Sequence, residues 1–126
     1  DKVILNGETI TGDLKIALYQ NAWCFVLPSI SENFGYVVVE ALASGIPVII
    51  SEGVGLKEMI VKYNAGLIFN GNNYGGLKND LISKLKEILD ENKRKIFVEN
   101  GIKLLKNEFN NGNLSIEMLK FYYKFL

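Results

Sequence analysis

Two glutamates, Glu32 and Glu40, stand eight positions apart with Gly35 between them. An apolar run closed by Pro28 precedes them, and Ala41-Leu42-Ala43-Ser44-Gly45 and Ile46-Pro47-Val48-Ile49-Ile50 follow. The punctuation predicts a strand-to-helix turn at Gly35. The first turn of such a helix leaves backbone N–H groups unpaired, and these groups together with the helix dipole favour a diphosphate. Gly35 has no side chain, so a ligand can approach the main chain closely. Glu32, in the loop before the helix, can accept hydrogen bonds from sugar hydroxyls. Glu40, one to two turns inside, can do the same one nucleotide unit further on. Two acceptors spaced in this way suit two hydroxyl-bearing rings joined by a diphosphate. They do not suit a glycosidase pair, whose carboxylates face each other across one bond at ~5–10 Å.

Taken singly, each glutamate has a plainer reading. An acid near a helix start stabilises the dipole, and Glu40 alone could be a solvated helix residue. Their joint occurrence with Pro28, Gly35, Gly45 and Pro47 points to a site.

The elements that must position this pair follow from pattern and length. Val3, Ile4 and Leu5 read as a short strand closed by Asn6-Gly7. Thr11 or Asp13 caps a helix to about Gln20, with Leu14, Ala17 and Leu18 on one face. Residues 23–27 form a continuous apolar run, the look of a strand buried on both faces. Tyr36-Val37-Val38-Val39 would suit a strand, but residues 35–44 have helix length. Gly45 stands at the C′ position, and Val38, Ala41 and Leu42 keep i, i+3, i+4 spacing. A strand over 47–51, a helix over 56–63 and a strand over 67–69 come next. A loop over 70–76 leads to three amphipathic helices at 77–89, 91–109 and 115–125. Leu77, Leu81, Leu85 and Ile88 form the stripe of the first. The alternation predicts an α/β fold: a doubly wound parallel sheet of about four strands, helices on both faces and a helical C-terminal region over 77–126.

The bulk composition narrows the chemistry. The 126 residues make one domain, and 48% are hydrophobic against 22% charged, so a globular core is expected. Fourteen basic residues balance 14 acidic ones, which argues against a general nucleic-acid or membrane-surface binder. Histidine is absent, which removes His-based general base catalysis, Ser-His-Asp and Cys-His nucleophiles and His-dependent metal sites. Cys24 is alone, so no intrachain disulfide forms and no zinc cluster is expected; between Trp23 and Phe25 it reads as an inert buried thiol. Arg94 is the single arginine and so the one candidate for a bidentate phosphate clamp. No signal peptide and no bilayer-length apolar run is found, and a reducing cytosolic location is expected.

The segment resembles the Glu-x7-Glu signature of retaining nucleotide-sugar glycosyltransferases built from two Rossmann-like domains (the GT-B fold), most of all family 4 of that class. The matching residues are Phe25-Val26-Leu27-Pro28-Ser29, Ser31-Glu32, Phe34-Gly35, Val39-Glu40-Ala41 and Gly45-Ile46-Pro47-Val48. The likeness continues through residues 53–60, where Glu58 fits, and Gly66-Leu67-Ile68. The resemblance implies that Glu32 is the catalytic-site acid, contacting donor-sugar hydroxyls near the reacting carbon. It implies that the backbone of Asn33, Phe34, Gly35, Tyr36 and Val37 holds sugar and diphosphate, and that Glu40 binds the ribose hydroxyls. The substrate would be a nucleoside-diphosphate sugar, with no cofactor and no metal. Asn33 stands where the family often has glycine.

The resemblance also implies what lies elsewhere. The family's C-terminal domain opens with strands and helices that have no counterpart here, and they carry an Arg/Lys pair for the leaving diphosphate. Its N-terminal, acceptor-binding domain has none either. The chain, which begins at Asp1, therefore reads as the donor-binding part of a longer protein, inactive alone and sited in the full-length protein at the inner face of the membrane. A non-catalytic nucleotide-sugar-binding module, or one subunit of a two-chain transferase, is the alternative. In the family's strand order the Val3 strand and the Phe25 strand are not neighbours. Here they must pair directly, lie apart, or meet another chain, and an uncovered edge predicts a homodimer or a rearranged sheet.

Overall fold

A computed structural model describes residues 3–70 and 74–109, the side chains of 74–76 excepted. Three parallel strands, β1 (Phe25–Leu27), β2 (Val48–Ser51) and β3 (Gly66–Phe69), lie in the order β1-β2-β3. Phe25 pairs with Val48 and Ile50 with Ile68. Helix α1 (Gly12–Asn21) precedes the sheet, α2 (Tyr36–Ala43) and α3 (Lys57–Tyr63) are the crossovers, and α4 (Tyr74–Glu87) and α5 (Glu91–Glu108) follow.

The central strand is buried along its whole length, as a strand with helices on both faces must be. Successive side chains alternate between faces. Val48 and Ile50 pack with Val38 and Leu42 of α2, Ile60 of α3 and Leu104 of α5. Ile49 turns the other way and meets Phe69, Ile88, Phe97 and the inner side of α4 at Leu77 and Leu81. Valine-rich α2 has low intrinsic helix propensity, and burial holds it: Val38, Val39, Ala41 and Leu42 are at most 1% exposed. Gly45 ends it in the left-handed region at φ 74°, the C′ role expected of it.

Four expectations are corrected. Val3, Ile4 and Leu5 form no strand; they are 87–91% exposed, and the sheet has three strands among the described residues, not four. The segment lies apart, and the outer edge of β1 has no partner strand among the described residues. Three residues offer too few ladder bonds to offset the entropy of ordering them without strands on hand to receive them. In α1 the Leu14–Leu18 row faces solvent (61% and 50% exposed), while the next i, i+4 row, Lys15 and Tyr19, turns inward. Helix α4 starts at Tyr74 rather than 77, because Tyr74-Gly75-Gly76 is helical and not loop. Leu85, assigned to the buried stripe of α4, is 37% exposed, while Leu77, Leu81 and Ile88 of the same stripe pack into the core. The helix expected over 115–125 lies outside the described residues. Among those described, no helix is long and apolar enough to cross a membrane.

Candidate functional site

The loop after β1 is stitched to the loop after β2. The Glu32 N–H donates to the Gly53 carbonyl at 3.0 Å, and the Gly55 N–H donates to the Glu32 carbonyl at 2.8 Å. The two bonds make an isolated parallel bridge between Glu32 and Val54, an extension of the ladder beyond the strands themselves. This closeness requires glycine on the far side. A Cβ on Gly53 would stand 2.1 Å from the Ile30 carbonyl oxygen, and one on Gly55 would stand 1.9 Å from that of Asn33. Buried Ser51 adds a third tie by donating from its hydroxyl to the Ser29 carbonyl. Glu32 thus enters the site from a backbone fixed on both sides.

Three residues on, Gly35 takes φ 85° and opens α2. No side chain caps this helix. The Val38 N–H turns back to the Gly35 carbonyl at 2.8 Å, and the N–H groups of Gly35, Tyr36 and Val37 have no acceptor among the described residues. Gly35 itself is buried, and a side chain there would meet Val54 Cγ1 at 3.2 Å. Asn33 is exposed and Tyr36 is 63% exposed. The Phe34 ring is partly buried against the core and contacts Tyr36 at 4.9 Å and Phe109 at 6.0 Å.

Glu40 lies five residues along α2, an axial rise of about 7.5 Å from Gly35. It is half-buried and already engaged. The Lys15 ammonium stands 2.5 Å from its Oε2, and the Tyr19 hydroxyl donates to the same oxygen at 3.3 Å. Burial first, and the Glu40 carboxylate second, push the Tyr19 phenol well above its ordinary range, so it stays a donor. The Tyr19 ring is fixed in turn by an edge contact to Phe25 at 5.6 Å.

Glu32, Asn33, Gly35, Tyr36 and Val37 therefore lie at the start of α2, with Glu40 five residues beyond Gly35 on the same helix. Lys15, Tyr19, Gly53 and Gly55 join them without being singled out by their types. The glycine pair two apart, Gly53 and Gly55, is the sequence signal that could have marked this close backbone approach. Arg94 belongs elsewhere: its Nε donates to the Trp23 carbonyl at 3.1 Å and its guanidinium lies 4.6 Å from the Trp23 ring centre. Cys24 is half-buried, and that burial raises its thiol above the usual range, in keeping with an inert role. No cluster of three or more His, Cys, Asp or Glu side chains able to hold a metal ion occurs among the described residues.

Residues 1–104 match the family model described as "Glycosyl transferases group 1". The capsular polysaccharide biosynthesis glycosyltransferase CapM of Staphylococcus aureus is 32% identical over 111 residues, covering 88% of this chain and 28% of that protein. The O-antigen chain mannosyltransferase RfbU of Salmonella typhimurium is 48% identical over 52 residues, covering 41% of this chain and 14% of that protein. Among solved structures, sucrose-phosphate synthase from Thermosynechococcus elongatus superposes with a TM-score of 0.67 at 30% identity, covering 85% of this chain and 26% of that one. The matched stretches span 14–28% of the length of these proteins.

Proposed function

This chain belongs to the group 1 glycosyl transferases, and we propose that it is the donor-binding segment of a retaining, metal-independent GT-B enzyme of family 4. On this reading a nucleoside-diphosphate sugar is the donor, and residues 1–126 act as one partial Rossmann-like domain with the acceptor site on an N-terminal domain of the same protein. The observation that carries the reading is the uncapped start of α2, with three N–H groups unpaired among the described residues, between Glu32 on a braced loop and Glu40 further along.

The chemistry follows from charge. When the bond between the anomeric carbon and the diphosphate breaks, negative charge grows on the leaving phosphate oxygen. The N–H groups of Gly35, Tyr36 and Val37 and the dipole of α2 are oriented before the reaction to receive that charge. Glu32 accepts hydrogen bonds from donor-sugar hydroxyls and holds the ring over the helix start. Glu40 accepts from the ribose and sets how far along α2 the diphosphate lies. Asn33 and Tyr36 offer an exposed amide and ring to the sugar. On this reading the basic clamp for the leaving diphosphate is supplied by another part of the full-length protein, so the chain alone binds donor weakly and does not turn over; rapid sugar transfer by it alone would refute this. Relatives named for capsular polysaccharide and O-antigen synthesis support a cell-envelope polysaccharide acceptor, with the full-length enzyme working from the cytosolic side of a membrane.

Ligand-observed NMR with uridine, guanosine and adenosine diphosphate sugars tests the donor site. One nucleotide class is expected to show saturation transfer that Glu40→Ala removes. Absence of binding by every donor at millimolar concentration, or equal binding by Glu40→Ala, refutes the assignment.

A further inference from the structure

Glu40 is held by residues that no part of the donor reading requires. Lys15 and Tyr19 come from α1, a helix before β1, and both reach the same oxygen, Oε2. Oε1 has no hydrogen-bond partner among the described residues. The Lys15 and Glu40 side chains are 29% and 17% exposed, so the pair is partly withdrawn from water and less screened than a surface pair. The Tyr19 hydroxyl also lies 3.4 Å from the Val37 carbonyl, which ties it to the turn of α2 nearest the diphosphate position.

We propose that Lys15 and Tyr19 are positioning residues for the donor nucleotide: they pin Oε2 of Glu40 and present Oε1 as the fixed acceptor for a ribose hydroxyl. This rests on the assignment of Glu40 to the ribose. The opposite role for Lys15 would be a plug that the ribose must displace. The geometry favours positioning, because one carboxylate oxygen is saturated while the other is open, and a hydroxyl can bind without breaking the ion pair. A glutamate is otherwise a long side chain with several rotamers, and ordering it at the moment of binding weakens binding.

The test is a set of ligand-observed NMR titrations of this chain with uridine, guanosine and adenosine diphosphates. The variants are wild type, Glu40→Ala, Lys15→Met, Lys15→Arg, Tyr19→Phe and the Lys15→Met/Glu40→Ala double variant. Lys15→Met keeps the aliphatic stem, and Tyr19→Phe keeps the ring against Phe25, so both should fold. Each is expected to weaken the best nucleotide about three- to tenfold. The loss should largely vanish with the matching 2′,3′-dideoxynucleoside diphosphate, a selectivity that a general loss of stability would not produce. Lys15→Arg should restore most of the affinity, and Lys15→Met should add nothing in the Glu40→Ala background. Tighter binding by Lys15→Met would show a plug and overturn the proposal. If Glu40→Ala weakens binding while Lys15→Met and Tyr19→Phe match wild type, the proposal fails and the ribose assignment stands. If Glu40→Ala has no effect, or wild type binds none of the nucleotides at millimolar concentration, both fail.

Discussion

Replacing Gly55 by alanine attacks the brace that places Glu32, at a distance from any ligand. The new Cβ would stand 1.9 Å from the Asn33 carbonyl oxygen and 3.3 Å from the Glu32 carbonyl oxygen. Both obstacles are backbone, so no rotamer change relieves them, and the loops at 31–33 and 53–55 must part. Parting breaks the 2.8 Å and 3.0 Å bonds of the Glu32–Val54 bridge. Each is worth about 1 kcal/mol net, and residual strain brings the total to about 2–3 kcal/mol. With an unfolding entropy of about 2.1 cal/mol/K per residue, the chain has about 0.26 kcal/mol/K in all, so Tm should fall by about 8–12 °C. Gly7→Ala is the control: nothing lies within 4 Å of its Cβ, and its melting point should stay within about 2 °C. Calorimetric or circular-dichroism melts of the three proteins decide the matter. A Gly55→Ala melting point within about 2 °C of wild type would mean that the two loops are not braced against each other, and the argument for a pre-set Glu32 would go with it.

Two further outcomes can be checked with the same melts. Asp90 caps α5 by accepting from the Asn92 and Lys93 N–H groups at 2.9 and 3.0 Å, so Asp90→Ala should lower stability by about 1 kcal/mol, about 4 °C in Tm, whereas Asp90→Asn should lose much less. Lys62 and Glu108 join α3 to α5 at 2.7 Å, with the Tyr63 hydroxyl also donating to Glu108 at 2.8 Å. The hydrogen bond from Lys62 holds Glu108 below the usual carboxylate range, and the one to Glu108 raises Lys62. The carboxylate's contribution is therefore present above its unfolded pKa and lost as pH falls through its lower folded one; the lysine's is present below its unfolded pKa and lost as pH rises through its higher folded one. The Tm gap between wild type and Lys62→Met should be small, widest near neutral pH, and closed at both extremes; a gap that persists unchanged in strong acid would show that the pair is not its source.

Much of the fold could be read from local pattern because local pattern determines it. Pro28, Gly45 and Pro47 punctuate the chain where β1 ends, α2 ends and β2 begins, and a buried strand such as Val48-Ile49-Ile50 is apolar throughout. The gathering of Glu32, Gly35 and Glu40 was legible for the same reason, since all three lie within nine residues of one turn. What could not be read was set by tertiary contact. Val3-Ile4-Leu5 has strand composition, but strand formation depends on a neighbour to pair with. In α1 the rows Leu14–Leu18 and Lys15–Tyr19 are both i, i+4 pairs, and hydrophobicity chooses the first. The helix instead turns the second inward, because the Tyr19 ring meets Phe25 and the Lys15 ammonium meets a carboxylate on a different helix. A charge partner 25 positions away leaves no mark in the local pattern.

The two glutamates are held by different means, and the difference bears on what each can do. Glu32 is fixed through its backbone: two main-chain bonds and two obligatory glycines place its Cα, while no partner restrains its carboxylate among the described residues. Glu40 is fixed through its side chain, by an ammonium and a phenol on one oxygen. A carboxylate on a rigid main chain but with free rotamers can follow a ring whose shape and charge change as its anomeric bond breaks. A carboxylate clamped at one oxygen suits a ring that does not change during the reaction, and under the proposed donor assignment the ribose is that ring. Only interactions that strengthen in the transition state accelerate the chemical step, whereas those that hold substrate and transition state equally affect binding alone. In the full-length enzyme, Glu40→Ala should therefore raise KM for the donor with kcat largely kept, and Glu32→Gln should lower kcat. Steady-state kinetics on both variants test the division. A fall in kcat for Glu40→Ala as large as that for Glu32→Gln would refute it.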